Sequence, residues 1–310
     1  MQWFLDIPIP LMHRSINYRD DILALGSCFA EHIPQKMQDL GWNCLINPLG
    51  LQYNPCSIIQ STQWLLHTSR EEIDRELFLH NGLWRHWMTH TERAHPNKSV
   101  VLETILTQQQ RLQEMWQKPS TLCLTFGSSH AWQLKSTEQY VSNCHQLPGN
   151  LFQRELLSTE TMAHTLKKFI QSNSWHTIIC TVSPVRYHRD GLIASNHSKA
   201  RLLEVIHQIC AEFPQCYYFP SYEIQIDSLR DYRFYTSDLC HPSTDAITYI
   251  WEKWQTLFDT DTKEYLAHAS KILSMRNHRI LHPESNEAQT FLEKRKTLEF
   301  DFFAHYQRIL

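Results

Sequence analysis

Short apolar runs, each flanked by polar and turn-forming residues, recur along the chain. Nearly continuous runs of this kind are typical of strands buried on both faces of a parallel sheet. The pattern predicts strands over residues 21–25, 43–46, 121–126, 177–182 and 216–219. Helical periodicity lies between or after them, over residues 30–40, 99–117, 159–171, 196–213 and 244–258. This alternation predicts an α/β fold, a three-layer α/β/α domain around a five-stranded, mostly parallel sheet.

Two stretches do not fit the alternation. Residues 55–120 are too long for a simple crossover, and Asn81-Gly82 between apolar flanks is a two-residue hairpin signal. We therefore expect an inserted hairpin-helix subdomain at about 55–120, within a main domain of residues 1–258. The polar, helical pattern of residues 259–310 predicts two helices around Pro283, which would form a C-terminal helical extension.

Composition narrows the function classes. Of the 310 residues, 42% are hydrophobic and 20% are charged, which suits a chain with a sizeable core. The net charge of -3 gives no general attraction to nucleic acid or to an anionic membrane. No run approaches the roughly 20 apolar residues that span a bilayer. The seven glycines form no G-x-G-x-x-G motif, so we expect no nucleotide and no other cofactor.

Cysteine and histidine usage gives no sign of a metal site. The nine cysteines are scattered without a C-x-x-C pair. His86 and His90 are four residues apart, but the hairpin signal nearby argues against a helix that would align them. Residues 1–6 lack the basic and apolar segments of a signal peptide. We expect no metal, reduced thiols and a cytoplasmic location.

The stretch LGSCFA, residues 25–30, places a serine where the first strand ends and a helix begins. Open α/β sheets build their sites at this edge, and the free N–H groups at the start of a helix suit a developing oxyanion. Ser27 is therefore a candidate nucleophile, and the alternative is an ordinary helix N-cap. Cys28 is a second candidate, although we expect its side chain to point away from Ser27, into the core.

The stretch DLCHP, residues 238–242, follows the last predicted strand and precedes a helix. An Asp three residues before a His can return its carboxylate to Nδ1 of the ring within one turn. That bond fixes the tautomer and leaves Nε2 free to accept a proton from a serine. The alternative is a surface Asp–His turn. Because Ser27 and the pair Asp238 and His241 all follow predicted strands, the fold would bring them to one edge.

At these residues the sequence resembles a known family. Residues 26–30 match, letter for letter, the motif that names the GSCFA family, which is grouped with the SGNH, or GDSL-like, hydrolases. Further stretches resemble the same family, namely residues 47–50, 143–145, 183–191, 198–200, 218–223 and 231–241. The resemblance covers roughly residues 20–258 and implies an SGNH or flavodoxin-like fold. It implies that Ser27 is the nucleophile and that Asp238 and His241 complete a triad.

The resemblance also implies an oxyanion hole, in which Gly50 would be one donor. The wider SGNH pattern has an Asn in a Gly-x-Asn-Asp block after the third strand, but this chain has Ser129 at that position. Either the hydroxyl of Ser129 or the amide of Asn47 would then be the missing donor. Losing one oxyanion donor typically costs about 3 kcal/mol of transition-state stabilisation. Ser129 in place of the Asn is therefore expected to affect the rate of the reaction more than the type of reaction.

The resemblance implies a serine hydrolase, an esterase or deacetylase that acts on a small-molecule or carbohydrate ester. An O-acetylated carbohydrate is the expected substrate by analogy alone. Two alternatives stay open. An acyltransferase would use the same serine, and a non-catalytic binding protein on a degenerate SGNH scaffold would explain the altered block at residues 127–130.

Several other side chains have both a functional and a structural interpretation. Arg186, with Arg189 and Asp190 after the fourth strand, could bind an anionic substrate group or belong to a salt-bridged loop. Tryptophans could stack on a substrate or pack in the core, namely Trp84, Trp87 and Trp132. Lys199 and Arg201 are expected on a solvated helix face.

Overall fold

A computed structural model describes residues 5–118 and 121–310. The start of the predicted main domain, at residues 1–4, and the end of the predicted insertion, at 119–120, lie outside these described residues. The strands within them are β1 (Ile22–Gly26), β2 (Cys44–Ile46), β3 (Phe78–His80), β4 (Leu83–Arg85), β5 (Thr121–Phe126), β6 (His130–Leu134), β7 (Gln139–Val141), β8 (Phe152–Leu156), β9 (Thr177–Val182) and β10 (Cys216–Tyr218).

The helices of the same residues lie mostly between these strands. They are α1 (Phe29–Asp39), α2 (Pro55–His67), α3 (Arg70–Glu76), α4 (Lys98–Trp116), α5 (Thr159–Gln171), α6 (Leu192–Glu212), α7 (Ser221–Glu223), α8 (Thr244–Trp254), α9 (Thr260–Asn277) and α10 (Asn286–Tyr306). Every one of them is too short or too polar to cross a bilayer.

The central sheet contains all five predicted strands, in the order β10-β9-β5-β1-β2. Every neighbouring pair is parallel, which confirms the α/β class and the five-stranded sheet. The chain moves from β1 to β2 on one side and then to β5, β9 and β10 on the other. The strand order therefore reverses between β1 and β5, and open sheets bind ligands at such a switch point, beyond the carboxyl ends of the strands.

Helices cover both faces of this sheet because successive side chains of a strand point to opposite faces. In β1, Leu23 and Leu25 belong to one buried cluster, together with residues of α2, α4, α5 and α6. Ile22 and Ala24 belong to a second cluster on the other face, together with residues of α1, α8 and α9. Because β1 is buried on both faces, its sequence is continuously apolar instead of alternating.

The segment between β2 and β5 contains the predicted hairpin, formed by β3 and β4. Asn81 and Gly82 have φ values of 50° and 72°, as a two-residue turn with both central residues left-handed requires. The helix α4 follows the hairpin as expected, but α2 and α3 precede it, which the sequence pattern did not indicate. Both α2 and α4 contribute residues to the first buried cluster.

A second sheet, with the order β7-β6-β8, is absent from the sequence prediction. Its strands are antiparallel, and Trp132 of β6 pairs with Arg154 of β8. The loop at the carboxyl end of β5 leads directly into β6, so this small sheet stands next to the switch point.

The C-terminal residues form two helices on either side of Pro283, as predicted. They share the second buried cluster with α1 and the sheet. Tyr265 of α9 is fully buried, its hydroxyl donates to the carbonyl of Leu40, and its ring stacks on Tyr18 with centroids 4.5 Å apart. The C-terminal helices are therefore packed on the sheet domain through a common core.

Candidate active site

Ser27 follows β1 at the switch point and immediately precedes the first turn of α1. Gly26 bends the chain there with a φ of 144°, and a Cβ at this position would lie 2.1 Å from the carbonyl oxygen of Thr125. The bend lets the amide of Ser27 donate to the same carbonyl, at 3.0 Å. Glycine is required because an L side chain would be strained and would collide with β5.

The hydroxyl of Ser27 is buried yet lacks a partner. The residue is 1% exposed, and its Oγ has no hydrogen bond to any described residue. Gly127, after β5, lies against it, since a Cβ at Gly127 would be 3.0 Å from Cβ of Ser27. A buried hydroxyl without a partner is unusual, and such groups concentrate at functional sites.

His241 and Asp238 form the pair that their spacing predicts. Nδ1 of His241 lies 2.6 Å from Oδ2 of Asp238. The other oxygen, Oδ1, accepts from the hydroxyl of Thr236 at 2.6 Å and from the amides of Cys240 and His241. The Thr236 hydroxyl first, and then the amide and ring of His241, hold the pKa of Asp238 well below its usual range. The carboxylate therefore stays ionised and orients the ring.

Ser27 and His241 line the same cavity, whose volume is about 410 Å³. Residues of the loops after β1, β5 and β9 contribute to its walls, together with β6 and the 238–241 turn. A volume of this order suits a small-molecule ligand. The two side chains are not hydrogen-bonded to each other, because Oγ of Ser27 has no partner within reach.

The structure does not bring Asn47 or Gly50 to the cavity. The amide of Gly50 donates to the carbonyl of Asn47 at 2.8 Å, so it is not free to bind an oxyanion. The side chain of Asn47 accepts from the amide of Gly26 at 2.8 Å and donates to Glu31 at 3.1 Å. These residues hold the turn that carries Ser27, and we replace their expected oxyanion role with this structural one.

Ser129 is also engaged elsewhere. It is fully buried, its amide donates to Oγ of Ser198 at 2.7 Å, and its hydroxyl donates to the carbonyl of Ser198 at 3.0 Å. The side chain therefore anchors the loop after β5 to α6 and does not face the cavity. The amide of Ser27 is not available to an oxyanion either, because it donates to the carbonyl of Thr125.

Arg186 does not line the cavity either. Its amide donates to the carbonyl of Cys240 at 2.9 Å, and its carbonyl accepts from the thiol of Cys240 at 2.6 Å. This backbone clamp joins the loop after β9 to the turn that carries His241. The arginines that line the cavity are Arg154 and Arg189.

Asn143 is a cavity residue to which the sequence assigned no role. Its Oδ1 accepts from the hydroxyl of Thr91 at 2.9 Å and from the amide of His145 at 2.8 Å. Its Nδ2 is buried at the cavity wall with no acceptor among the described residues. The only signal in the sequence was the resemblance of residues 143–145 to the GSCFA pattern.

Comparison with known proteins agrees with that pattern. A sequence profile described as the GSCFA family matches residues 21–254, from just before β1 to the end of α8. The chain belongs to the GSCFA family. No curated protein and no solved structure matches it.

The cysteine of the GSCFA motif lies at the same cavity as the serine. Cys28 lines the cavity and also packs partly against the second buried cluster, so the expectation that its side chain points into the core holds only in part. Burial raises the pKa of its thiol, an effect larger than the opposing ones of the Phe29 amide and of Lys199. The thiol is therefore protonated at neutral pH, which disfavours it as the nucleophile.

Two residues at or next to the family's 198–200 stretch were expected in solvent, and the structure corrects this. Lys199 is 2% exposed, and its Nζ donates to the carbonyl of Ser183 at 2.7 Å. Burial lowers its pKa to about 7. Arg201 donates to the carbonyls of Leu156 and Leu157, at 3.0 and 2.7 Å. Both side chains fasten α6 to neighbouring strand ends.

The histidines of the described residues do not form a metal centre. No group of three or more His, Cys, Asp or Glu side chains there is arranged to hold a metal ion. His86 is buried, stacks on Trp64 and contacts Oε2 of Glu76 at 3.1 Å. His90 lies at the start of a short 3-10 turn instead of on a shared helix face.

Proposed function

We propose that the protein is a serine hydrolase of the SGNH type, an esterase or deacetylase that cleaves an O-acyl ester of a small molecule or carbohydrate. One observation carries the proposal. The buried, unpartnered hydroxyl of Ser27 lines the same cavity as His241, whose ring is held by the ionised Asp238. Nucleophile, base and orienting carboxylate are the three parts of a serine triad.

The reaction would proceed in two acyl-transfer steps. His241 removes the proton of Ser27 as Oγ bonds to the ester carbonyl, and the alcohol then leaves with that proton. Water attacks the resulting acyl-serine while His241 again accepts a proton, and the carboxylic acid is released with Ser27 restored. Asp238 stays ionised throughout and stabilises the imidazolium that forms in each step.

Two N–H donors could stabilise the oxyanion in this mechanism. The first is Nδ2 of Asn143, which is fixed because its own oxygen is bonded to Thr91 and His145. The second is the amide of Cys28, the residue after the nucleophile, which lines the cavity. A side-chain amide and the amide that follows the nucleophile are donors of the kind that oxyanion holes use.

The absence of a hydrogen bond between Ser27 and His241 favours a second candidate, a binding protein without catalysis. Catalytic hydrogen bonds are often long in a free enzyme and shorten when substrate binds. The geometry of the free protein therefore does not separate the two candidates, whereas a measurement of ester hydrolysis does. An acyltransferase would share the first acylation step and differ only in which acceptor attacks the acyl-serine.

Hydrolysis of p-nitrophenyl acetate separates these candidates. We expect the wild type to release p-nitrophenol well above the buffer rate, and Ser27→Ala to lose at least about 100-fold of that rate. The matched control is Ser172→Ala, an exposed serine at the end of α5, which should keep the full rate. Equal rates for wild type and Ser27→Ala would refute the serine mechanism and leave the binding protein.

A further inference from the structure

One wall of the cavity carries an excess of positive charge. Arg154 and Arg189 line it, whereas no Asp or Glu of the described residues does. The nearest acidic partner is Asp190, which forms an ion pair with Arg154 from outside the cavity lining. One carboxylate against two guanidinium groups leaves a net positive wall, which attracts an anionic ligand.

Arg154 is held in place by its neighbours. It stands on β8 directly opposite Trp132 of β6, and its guanidinium carbon lies 5.6 Å from the centre of the indole. The ion pair with Asp190 also holds it. A guanidinium has five N–H donors, so one carboxylate leaves donors over. The side chain is 33% exposed, so these donors are open to a ligand.

Arg189 supplies the second positive group at the cavity mouth. It is exposed and forms no ion pair within the part of the chain that the structure describes. Its guanidinium stays charged at neutral pH. An exposed arginine at a cavity mouth can pair with an anion at little desolvation cost.

His130 provides an independent sign that a polar ligand group enters this wall. It lies two residues before Trp132 on β6, so both side chains are on one face of the small sheet. Its Nε2 is buried at the cavity with no partner among the described residues. Burial lowers the pKa of His130, with Arg154 adding to the effect, so the ring is neutral at neutral pH. A ligand oxygen would satisfy this nitrogen.

We propose that this wall, formed by Arg154, Arg189, His130 and Trp132, recognises an anionic group of the substrate. The substrate class is then an ester whose alcohol portion carries a carboxylate or a phosphate. Trp132 would cover the apolar part of that alcohol. The ester part of this inference rests on the proposed function, whereas the anion site can be tested by binding alone.

Matched esters test the inference. The esters 4-acetoxybenzoate and methyl 4-acetoxybenzoate have the same acyl group and ring, and only the first carries a negative charge. A third ester, 4-acetoxyphenyl phosphate, tests a phosphate in place of the carboxylate. Each kcat/KM is divided by the uncatalysed rate of the same ester. We expect the better anionic ester to exceed the neutral one by at least about tenfold, because charge-assisted hydrogen bonds form. High salt should reduce the preference, since Arg189 is exposed.

Variants tie the preference to the wall. The double variant Arg154→Gln, Arg189→Gln should bring the ratio of anionic to neutral kcat/KM close to one. Arg186→Gln is the matched control, because Arg186 is on the same loop as Arg189 but outside the cavity, and it should keep the ratio. A ratio that survives the double variant would overturn the inference.

The outcomes separate the anion site from the hydrolase. Equal kcat/KM for charged and neutral esters in the wild type would overturn the anion site and leave the proposed hydrolase standing. If no ester is hydrolysed, calorimetric binding of 4-hydroxybenzoate and of its methyl ester to the wild-type protein decides. A preference of at least about tenfold for the anion supports the site without the hydrolase, and equal or absent binding overturns it.

Discussion

Oδ2 of Asp238 lies 2.6 Å from Nδ1 of His241, three residues later in the chain. The side chains of the two residues are 47% and 44% exposed, so their bond adds little to the stability of the fold. The bond instead fixes which nitrogen of the ring carries the proton. We therefore expect its loss to change catalysis far more than folding.

Asp238→Asn tests this expectation. The amide fits the same space but cannot stabilise an imidazolium, so kcat/KM for an acetate ester should fall by about 100-fold or more. The thermal unfolding midpoint should shift by only about 2 °C or less. Asp245→Asn, at an exposed position of α8, is the control and should keep full activity. Full activity in Asp238→Asn would contradict the proposed triad.

The amide of Asn143 should act in the transition state and not in substrate binding. Asn143→Ala is expected to lower kcat by about 100-fold while KM changes little, because the donor is strengthened only by the developing oxyanion. Asn150→Ala, at an exposed position just before β8, should leave both constants as they are. A rise in KM with an unchanged kcat would assign Asn143 to ground-state binding instead.

Gly26 should be the least replaceable glycine of the site. In Gly26→Ala a Cβ would lie 2.1 Å from the carbonyl oxygen of Thr125 at a φ that L side chains rarely adopt. We expect a loss of about 3 kcal/mol or more in the free energy of unfolding, measured with urea. In Gly149→Ala the added Cβ meets nothing within 4 Å, so a change below about 1 kcal/mol is expected.

Buried Lys199 should make stability depend on pH. Its folded pKa is lowered to about 7, while an unfolded lysine titrates near 10.4. Between these values the unfolded chain binds a proton at this lysine that the folded protein does not, so the contribution of Lys199 to the free energy of unfolding should rise with pH. The slope should reach at most about 1.4 kcal/mol per pH unit.

Urea unfolding of wild type and Lys199→Met between about pH 7 and about pH 9 measures this slope as the difference between the two proteins, because the cysteines of the unfolded chain, which titrate at about pH 8.5, contribute equally to both. The wild-type slope should exceed the Lys199→Met slope, because the variant has no group to titrate there. Lys271→Met, on the exposed side of α9, should keep the wild-type slope. The same slope in wild type and Lys199→Met would show that another group is responsible.

The sequence predicted the elements that local patterns determine. The strands β5 and β9 have their predicted bounds because both are buried on both faces and mostly apolar. The sheet of β6, β7 and β8 was missed because its strands have three to five residues and mix polar with apolar side chains. Short strands of this kind give no period long enough to detect.

The part of the site that depends on local contacts was also predictable from the sequence. The bond between Asp238 and His241 closes within one turn, so their spacing was enough to predict it. The oxyanion donors depend on which amides are already bonded, and that is decided by partners far along the chain. Gly50 is not a free oxyanion donor because its amide is bonded to a nearby carbonyl, and Ser129 is not one because it is bonded to Ser198. Asn143 is a candidate donor because Thr91 holds the oxygen of its side chain.

Labelling with a fluorophosphonate, followed by peptide mass spectrometry, tests the central claim most directly, because the reagent requires a serine activated by a folded site. The account predicts one adduct, on Ser27, that is lost in His241→Ala and in the urea-unfolded protein. An unmodified Ser27 in folded wild-type protein, or an adduct that forms equally well after unfolding, would contradict it.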